Sequence, residues 1–309
     1  MVTAVPHASR ADRSPSVARD LVGLAKPGIT FLIVLVAVAG YFLAEPPRVD
    51  LVALGILVAC GAAASAGAAM LNHYLDRDID SRMRRTARRP LPSARIRDSG
   101  AVAVAGTALL GGGVAVAGVL LNPLTALAIL LGGLTYVVVY TVWLKRRSSW
   151  NIVIGGFAGS APALAGSAAA VGAFPPAVLA FALLVFLWTP PHFWSLALLL
   201  RDDYERAGLP MLPDMRDIAR SGRIVVLSTL LLLPATAVLA ATGALAWPIV
   251  VVLIALAAIY LVLSLPLWTE VTKEAARRGF VYSGPYLLGV ILAIAANFPL
   301  LRAVPGLAL

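Results

Sequence analysis

Nine apolar stretches, each close to the length that crosses a lipid hydrocarbon core, follow one another along almost the whole chain and leave it little freedom of fold. A bilayer core takes about 20 apolar residues as a helix. Such stretches cover residues 28–44, 51–71, 101–121, 124–143, 151–171, 176–199, 223–243, 247–267 and 281–301. With no water to bond to, backbone N–H and C=O groups must be satisfied within the segment, which makes each span a helix. Composition agrees, since 60% of the 309 residues are hydrophobic and only 13% charged, against about 25% in soluble domains. The expected fold class is all-α: a polytopic membrane protein with nine transmembrane helices in a single bundle and catalytic loops on its cytoplasmic side.

The charges give that bundle a direction. Short connections near 46–50, 122–123, 172–175 and 244–246 alternate with longer polar ones near 72–100, 144–150, 200–222 and 268–280. Of the 25 Lys and Arg residues, all but Arg48 and Arg302 fall before the first span or in the longer connections. By the positive-inside rule the N-terminus and the long loops face the cytoplasm and the C-terminus lies outside, with the cell membrane as the expected location. The net charge of +10 is thereby explained by topology, and no nucleic-acid partner is expected. Cys60, alone in an apolar run, has no partner for a disulfide. Residues 1–20, with Pro6, Ser9, Ser14, Pro15 and Ser16, read as a mobile cytoplasmic tail, an uncleaved leader before a signal-anchor helix, and residues 21–309 as one transmembrane domain. The runs Gly61–Gly67, Gly111–Gly113 and Gly155–Gly159 read as close helix packing.

Chemistry concentrates where the second span ends. Asn72, Asp76 and Asp80 are spaced i, i+4, i+8 and share one helix face. At 1.5 Å rise per residue the two carboxylates stand roughly 6 Å apart, while Asp78 points away. Magnesium keeps several waters and is usually held by one or two carboxylates plus phosphate oxygens, so this sparse acidic face suits a Mg-diphosphate. Arg82, Arg84, Arg85, Arg88 and Arg89 follow at once. A second cluster after the sixth span repeats the recipe: Trp188-Thr-Pro190-Pro191-His192-Phe-Trp194, then Arg201-Asp202-Asp203-Tyr204-Glu205-Arg206. Two such half-sites could grip one diphosphate from both sides. The plainer alternatives are solvated or headgroup-contacting arginines and a structural ion-pair network. Pro190 and Pro191 are expected to kink the sixth span, and His73 and His192 are candidates to approach a cofactor, a metal or an acidic substrate group.

Asn72-X3-Asp76-X3-Asp80 followed by Met83-X-Arg85-Thr86-X-X-Arg89-Pro90-Leu91-Pro92 resembles the first aspartate-rich motif of the UbiA superfamily of intramembrane prenyltransferases. Tyr140-Thr-X-Trp-Leu-Lys145-Arg146, Asn151-Ile-Val-Ile-Gly-Gly156, Trp188 to Trp194 and Asp202-Asp203-Tyr204 are similar to its haem-farnesylating group, the protohaem IX farnesyltransferases; the likeness runs from Lys26 to Ser283. The resemblance implies transfer of a farnesyl group from farnesyl diphosphate to a vinyl group of haem b, with addition of water, to give haem O. It implies Mg2+ as cofactor and haem b as substrate rather than resident cofactor, in a lipid bilayer, with a downstream haem A synthase or terminal oxidase assembly as the consumer. Carried over residue by residue, Asn72, Asp76, Asp80 and Asp203 would be catalytic and hold the metal, and Arg85, Arg89, Lys145 and Arg146 would bind diphosphate. His73, His192, Asp202, Tyr204 and Trp188 are candidates for the second loop or the haem pocket. The chain departs from the second Asp-X3-Asp of many superfamily members, because Ala207 stands four residues after Asp203. An aromatic quinone precursor as acceptor, a transporter and a non-catalytic haem-binding assembly factor are the competing readings.

Overall fold

The structure, a computed structural model, describes residues 17–214 and 216–303; most of the expected N-terminal tail lies outside them. Fifteen α-helices follow in order: α1 Val17–Leu24, α2 Pro27–Leu43, α3 Leu51–Leu75, α4 Arg77–Arg82, α5 Ser99–Leu120, α6 Pro123–Leu134, α7 Asn151–Gly155, α8 Phe157–Val171, α9 Pro176–Leu199, α10 Arg201–Ala207, α11 Ile218–Leu230, α12 Leu232–Ala240, α13 Trp247–Ser264, α14 Pro266–Thr269 and α15 Lys273–Ala303. No strand occurs among the described residues. Eight helical stretches are long and apolar enough to cross a bilayer, and α1 with α2 make a ninth if the pair, bent by 45°, counts as one span. The chain is thus an all-helical, polytopic membrane protein.

Local chemistry sets the helix starts. The side chains of Asp50, Asp98, Asn122 and Asp217 each accept a backbone N–H of the first turn of α3, α5, α6 and α11, satisfying donors that have no intrahelical partner. Proline opens α2, α6 and α9, where its missing N–H is no loss. The helix ends differ from the apolar boundaries. α3 runs on to Leu75, α11 begins at Ile218, and α15 begins at Lys273, so the expected 268–280 connection shrinks to residues 270–272. Hydropathy marks where lipid ends; Lys, Arg and Glu are good helix formers and carry the helix beyond that edge.

Two features of the middle spans were not expected from the apolar pattern. α6 continues from Thr135 to Leu144 as a π-helix, with the Lys145 N–H donating to the Tyr140 carbonyl at 2.9 Å and the Thr141 hydroxyl to the Tyr136 carbonyl at 2.8 Å. Such i→i+5 windings recur at functional sites. α9 carries Pro190 and Pro191 inside one continuous helix.

α9 is the axis of the packing. Phe181, Leu184, Val185 and Trp188 are buried against side chains of α2, α8, α12, α13 and α15. A second apolar cluster, with Ile79, Met83, Ile152, Trp194, Tyr204, Met211 and Val225, lies where α4, α7, α9, α10 and α11 meet, and it fixes the two polar loops against one another. α3 and α5 cross at glycines: a Cβ on Gly67 would stand 2.5 Å from the Gly106 carbonyl oxygen, and one on Gly106 2.9 Å from that of Gly67. In lipid, where apolar burial gives little drive, such close backbone approach supplies the packing attraction. The expected packing role of the small-residue runs is therefore divided. Gly67 and Gly113 sit at helix contacts, whereas Gly61, Gly155, Gly156 and Gly159 line a cavity.

Candidate active site

The last turn of α3 carries Asn72, the junction between α3 and α4 is Asp76, and α4 carries Asp80. Although the helix breaks at Asp76, the Asp76 N–H donates to the Asn72 carbonyl at 2.9 Å and the Asp80 N–H to the Asp76 carbonyl at 2.8 Å, so the four-residue spacing survives. All three side chains are buried, Asp76 completely. Asp78, between them, is half exposed and takes both guanidinium nitrogens of Arg146 at 2.7 and 2.8 Å. That bond holds its carboxyl below the usual carboxylate range.

Buried carboxylates need partners, since an unpaired one costs several kcal/mol, of order 3–5 when a pair is broken. Here the partners come from four elements. Asp76 Oδ2 is paired with Lys145 and accepts from Asn72 Nδ2 at 2.7 Å. Asp80 is paired with Arg89 at 2.7 Å. Lys26, held between α1 and α2, donates to Asn72 Oδ1 at 2.7 Å and to the Tyr136 hydroxyl at 3.0 Å, and Asn72 Nδ2 also reaches Thr141 at 3.1 Å. The π-helix thus presents Tyr136 and Thr141 to the acidic face and ends where Lys145 meets Asp76.

One acceptor is left over: Asp76 Oδ1 is buried with no hydrogen-bond partner. Among the described residues no group of three His, Cys, Asp or Glu side chains is arranged to hold a metal ion unaided. Hard carboxylate and amide oxygens, one of them orphaned, fit a magnesium ion that draws its remaining ligands from water and from a bound phosphate.

The second loop closes over the first. Asp203, on α10, accepts from the Arg85 backbone N–H at 3.2 Å and pairs with Arg206. Tyr204 lines the cavity beside it, and burial pushes its phenol above the ordinary range. Asp202 faces outward and pairs with Lys273 at 3.2 Å, which holds its carboxyl below the usual range.

A cavity of about 850 Å³ joins this polar end to an apolar interior. Asn72, His73, Asp80, Arg85, Arg89, Lys145 and Tyr204 line one part of it, and Leu32, Val36, Ala64, Ala161, Ala165 and Val185 belong to its apolar walls. Trp188 and His192 of α9 and Phe280 of α15 also face it. Of the residues singled out in the sequence, Asp76 and Asp203 stand just behind this wall, bonded to residues that line it. Arg146 and Asp202 are paired with Asp78 and Lys273, and the cavity does not reach them. The sequence alone gives no site role to Lys26, Tyr136 and Thr141. Lys26 looked like one more positive-inside charge, and the other two sit in a span whose apolar pattern hides which face they take.

Residues 33–298 match the model of the UbiA prenyltransferase family. The protoheme IX farnesyltransferase 1 of Cenarchaeum symbiosum (strain A) is 42% identical over 285 residues, covering 91% of this chain and 96% of that one. The protoheme IX farnesyltransferase of Metallosphaera sedula is 43% identical over 271 residues, covering 88% and 93%. Among solved structures, a digeranylgeranylglyceryl phosphate synthase superposes with a TM-score of 0.74 at 16% identity, covering 91% of this chain and 98% of that one. A UbiA homologue from Archaeoglobus fulgidus bound to GPP and Mg2+ gives 0.66 at 18%, covering 89% and 99%. At these identities the structures speak to the fold alone.

Proposed function

The chain belongs to the UbiA prenyltransferase family, and on that premise we propose that it farnesylates haem b in the membrane: farnesyl diphosphate, haem b and water give haem O and diphosphate. The observation that carries the reading is one cavity in which an acidic, cation-lined end opens onto apolar walls. A diphosphate has its place at the first and a farnesyl chain along the second, and relatives that share about two fifths of the sequence bear the name of this activity.

The residues divide the work. Asp76, Asp80 and Asn72, with Asp203 closing the second loop over them, would hold magnesium against the diphosphate, and that ion would supply charge neutralisation as the leaving group departs. Arg85, Arg89 and Lys145 line the same end and take up developing negative charge on the diphosphate oxygens. As the bond from C1 of the farnesyl group to oxygen breaks, the electron pair leaves with diphosphate. The π electrons of a haem vinyl group then form the new carbon–carbon bond at C1, and water adds to the resulting cation and loses a proton. Apolar walls keep water from the allylic cation before the vinyl group reaches it.

The basic loops support a position for this end of the cavity on the cytoplasmic side of the cell membrane, by the positive-inside rule. The product, a haem with a long apolar tail, would pass to a haem A synthase or to terminal oxidase assembly.

Detergent-purified protein given haem b, labelled farnesyl diphosphate and magnesium should yield a more hydrophobic haem whose mass rises by one farnesyl and one hydroxyl group. Label transferred to an aromatic quinone precursor while haem stays unmodified would move the acceptor and keep the prenyl transfer.

A further inference from the structure

His192 and Ser283 form a contact that the prenyl-transfer chemistry leaves unused. The imidazole of His192, in the second half of α9, faces the cavity and lies in a stack, 4.5 Å from the Trp188 ring at 17° and 5.2 Å from the Phe280 ring at 30°. Its Nδ1 is 2.6 Å from the Ser283 hydroxyl on α15. That hydroxyl has one proton, and it stands 2.5 Å from the Phe280 carbonyl oxygen, which can only accept. The proton on the His192–Ser283 bond therefore belongs to the histidine: Nδ1–H donates, and Ser283 passes its own proton on to the carbonyl. In the neutral ring this leaves Nε2 as a lone pair, and no hydrogen bond to Nε2 comes from the described residues.

The arrangement is held from both helices. Trp188 Nε1 donates to the Ser283 carbonyl at 2.9 Å, so the residue that flanks the ring also fixes the backbone of the residue that orients it. Ser283 is fully buried. Gly279, one turn earlier on α15, lets the helices close, since a Cβ there would stand 3.2 Å from the Ser195 hydroxyl on α9. Nothing in a diphosphate or a farnesyl chain calls for a lone pair on a ring clamped between aromatic faces. A haem iron with an open axial position does, and a ligating histidine characteristically donates its other N–H to a fixed acceptor, which sets the tautomer and raises its basicity.

We propose that Ser283 is a positioning residue that locks His192 in its Nδ1–H form, so that Nε2 binds the iron of the haem substrate and holds the porphyrin in the cavity. The inference rests on the haem-farnesylating reading and adds to it the group that fixes the acceptor.

The test is a titration of ferric haem b into the purified full-length chain without farnesyl diphosphate, read by absorption and electron paramagnetic resonance. Wild type should show histidine-nitrogen coordination. Ser283→Ala should weaken haem binding roughly 10- to 100-fold, the usual effect of removing an acceptor behind a ligating histidine. Ser283→Thr, which keeps the hydroxyl, should restore it, and His192→Ala should lose the coordination signature. An unchanged signature in His192→Ala, or equal weakening by Ser283→Ala and Ser283→Thr, would overturn the proposal. Product assays on the same wild-type sample separate the two readings. Farnesylated haem formed without histidine coordination sinks the iron ligand alone, and neither haem binding nor product sinks both.

Discussion

Asp203 accepts a hydrogen bond from the backbone N–H of Arg85 at 3.2 Å, across 118 residues of sequence. Through this bond α10 fixes the loop that carries Arg85 and, four residues on, Arg89, both of which line the cavity. Displacing a binding group by about 1 Å costs a reaction up to roughly 100-fold. Asp203→Ala should therefore lower kcat/KM for farnesyl diphosphate by about 10- to 100-fold. Asp202→Ala, which removes only an exposed pair with Lys273, should stay within about twofold, as surface pairs contribute little. Steady-state kinetics of the two adjacent variants check this; equal losses would sink the loop-fixing role.

Asp76 and Lys145 depend on one another. Both are largely buried and paired, so Asp76→Ala strands a cation, at a cost of about 3–5 kcal/mol in folded stability. Adding Lys145→Met should restore the yield of monodisperse protein, measured by size exclusion, while product formation stays at least roughly 100-fold down, the scale of losing a charge-stabilising group. A double variant that turns over at the wild-type rate would remove Asp76 from the metal site.

The spans were legible because lipid forces a long apolar run to be a helix, and the residues 176–199 expected for one span are the bounds of α9. The acidic face was legible too, since a four-residue period survives the break at Asp76. Of its partners, Arg89 and Lys145 are named through the resemblance, but their pairing with Asp80 and Asp76 is not legible. Lys145, which pairs with Asp76, follows directly on residues 135–144 wound as a π-helix, and no apolar pattern distinguishes that winding from an α-helix. Arg146, which the resemblance assigns to the diphosphate together with Lys145, turns instead to Asp78 on the exposed side. The cavity was equally hidden, because a glycine that seats a neighbouring helix, such as Gly67, reads the same as one that leaves room, such as Gly61.

Magnesium removal gives a third prediction. Because no three of the described acidic or histidine side chains hold a metal by themselves, the ion should bind weakly in the absence of diphosphate and be drawn in with it. Chelation should abolish product formation, and isothermal titration should show magnesium binding far more tightly with farnesyl diphosphate present than without. Tight binding to the protein alone would show a ligand set richer than Asn72, Asp76, Asp80 and Asp203.

Gly67 and Gly106 test the scaffold rather than the chemistry. Asn72 lies five residues beyond the crossing, so forcing α3 from α5 moves the acidic face. A side chain at Gly67 has no space against the Gly106 carbonyl, and overpacking of this kind costs about 1–3 kcal/mol. Gly67→Val should lower the thermal midpoint in detergent and reduce turnover together. Gly61, one and a half turns earlier, has nothing within 4 Å of a Cβ and lines the cavity. Gly61→Val should leave the midpoint unchanged and act on substrate binding.

Sidedness can be read directly. Residue 85 follows the second span, Ser148 the fourth and Gly172 the fifth, so two crossings separate the first pair of positions and three separate residue 85 from Gly172. Reporter fusions after residues 85 and 148 should signal from one face, the cytoplasmic one that the basic loops indicate, and a fusion after residue 172 from the other. Placing 85 and 172 on the same face would require one of the intervening helices α5, α6 or α8 to enter and leave the membrane without crossing it. A signal from the outer face at residue 85 itself would detach the acidic face at Asp76 and Asp80 from the cytoplasmic supply of diphosphate substrate and reverse the expected orientation.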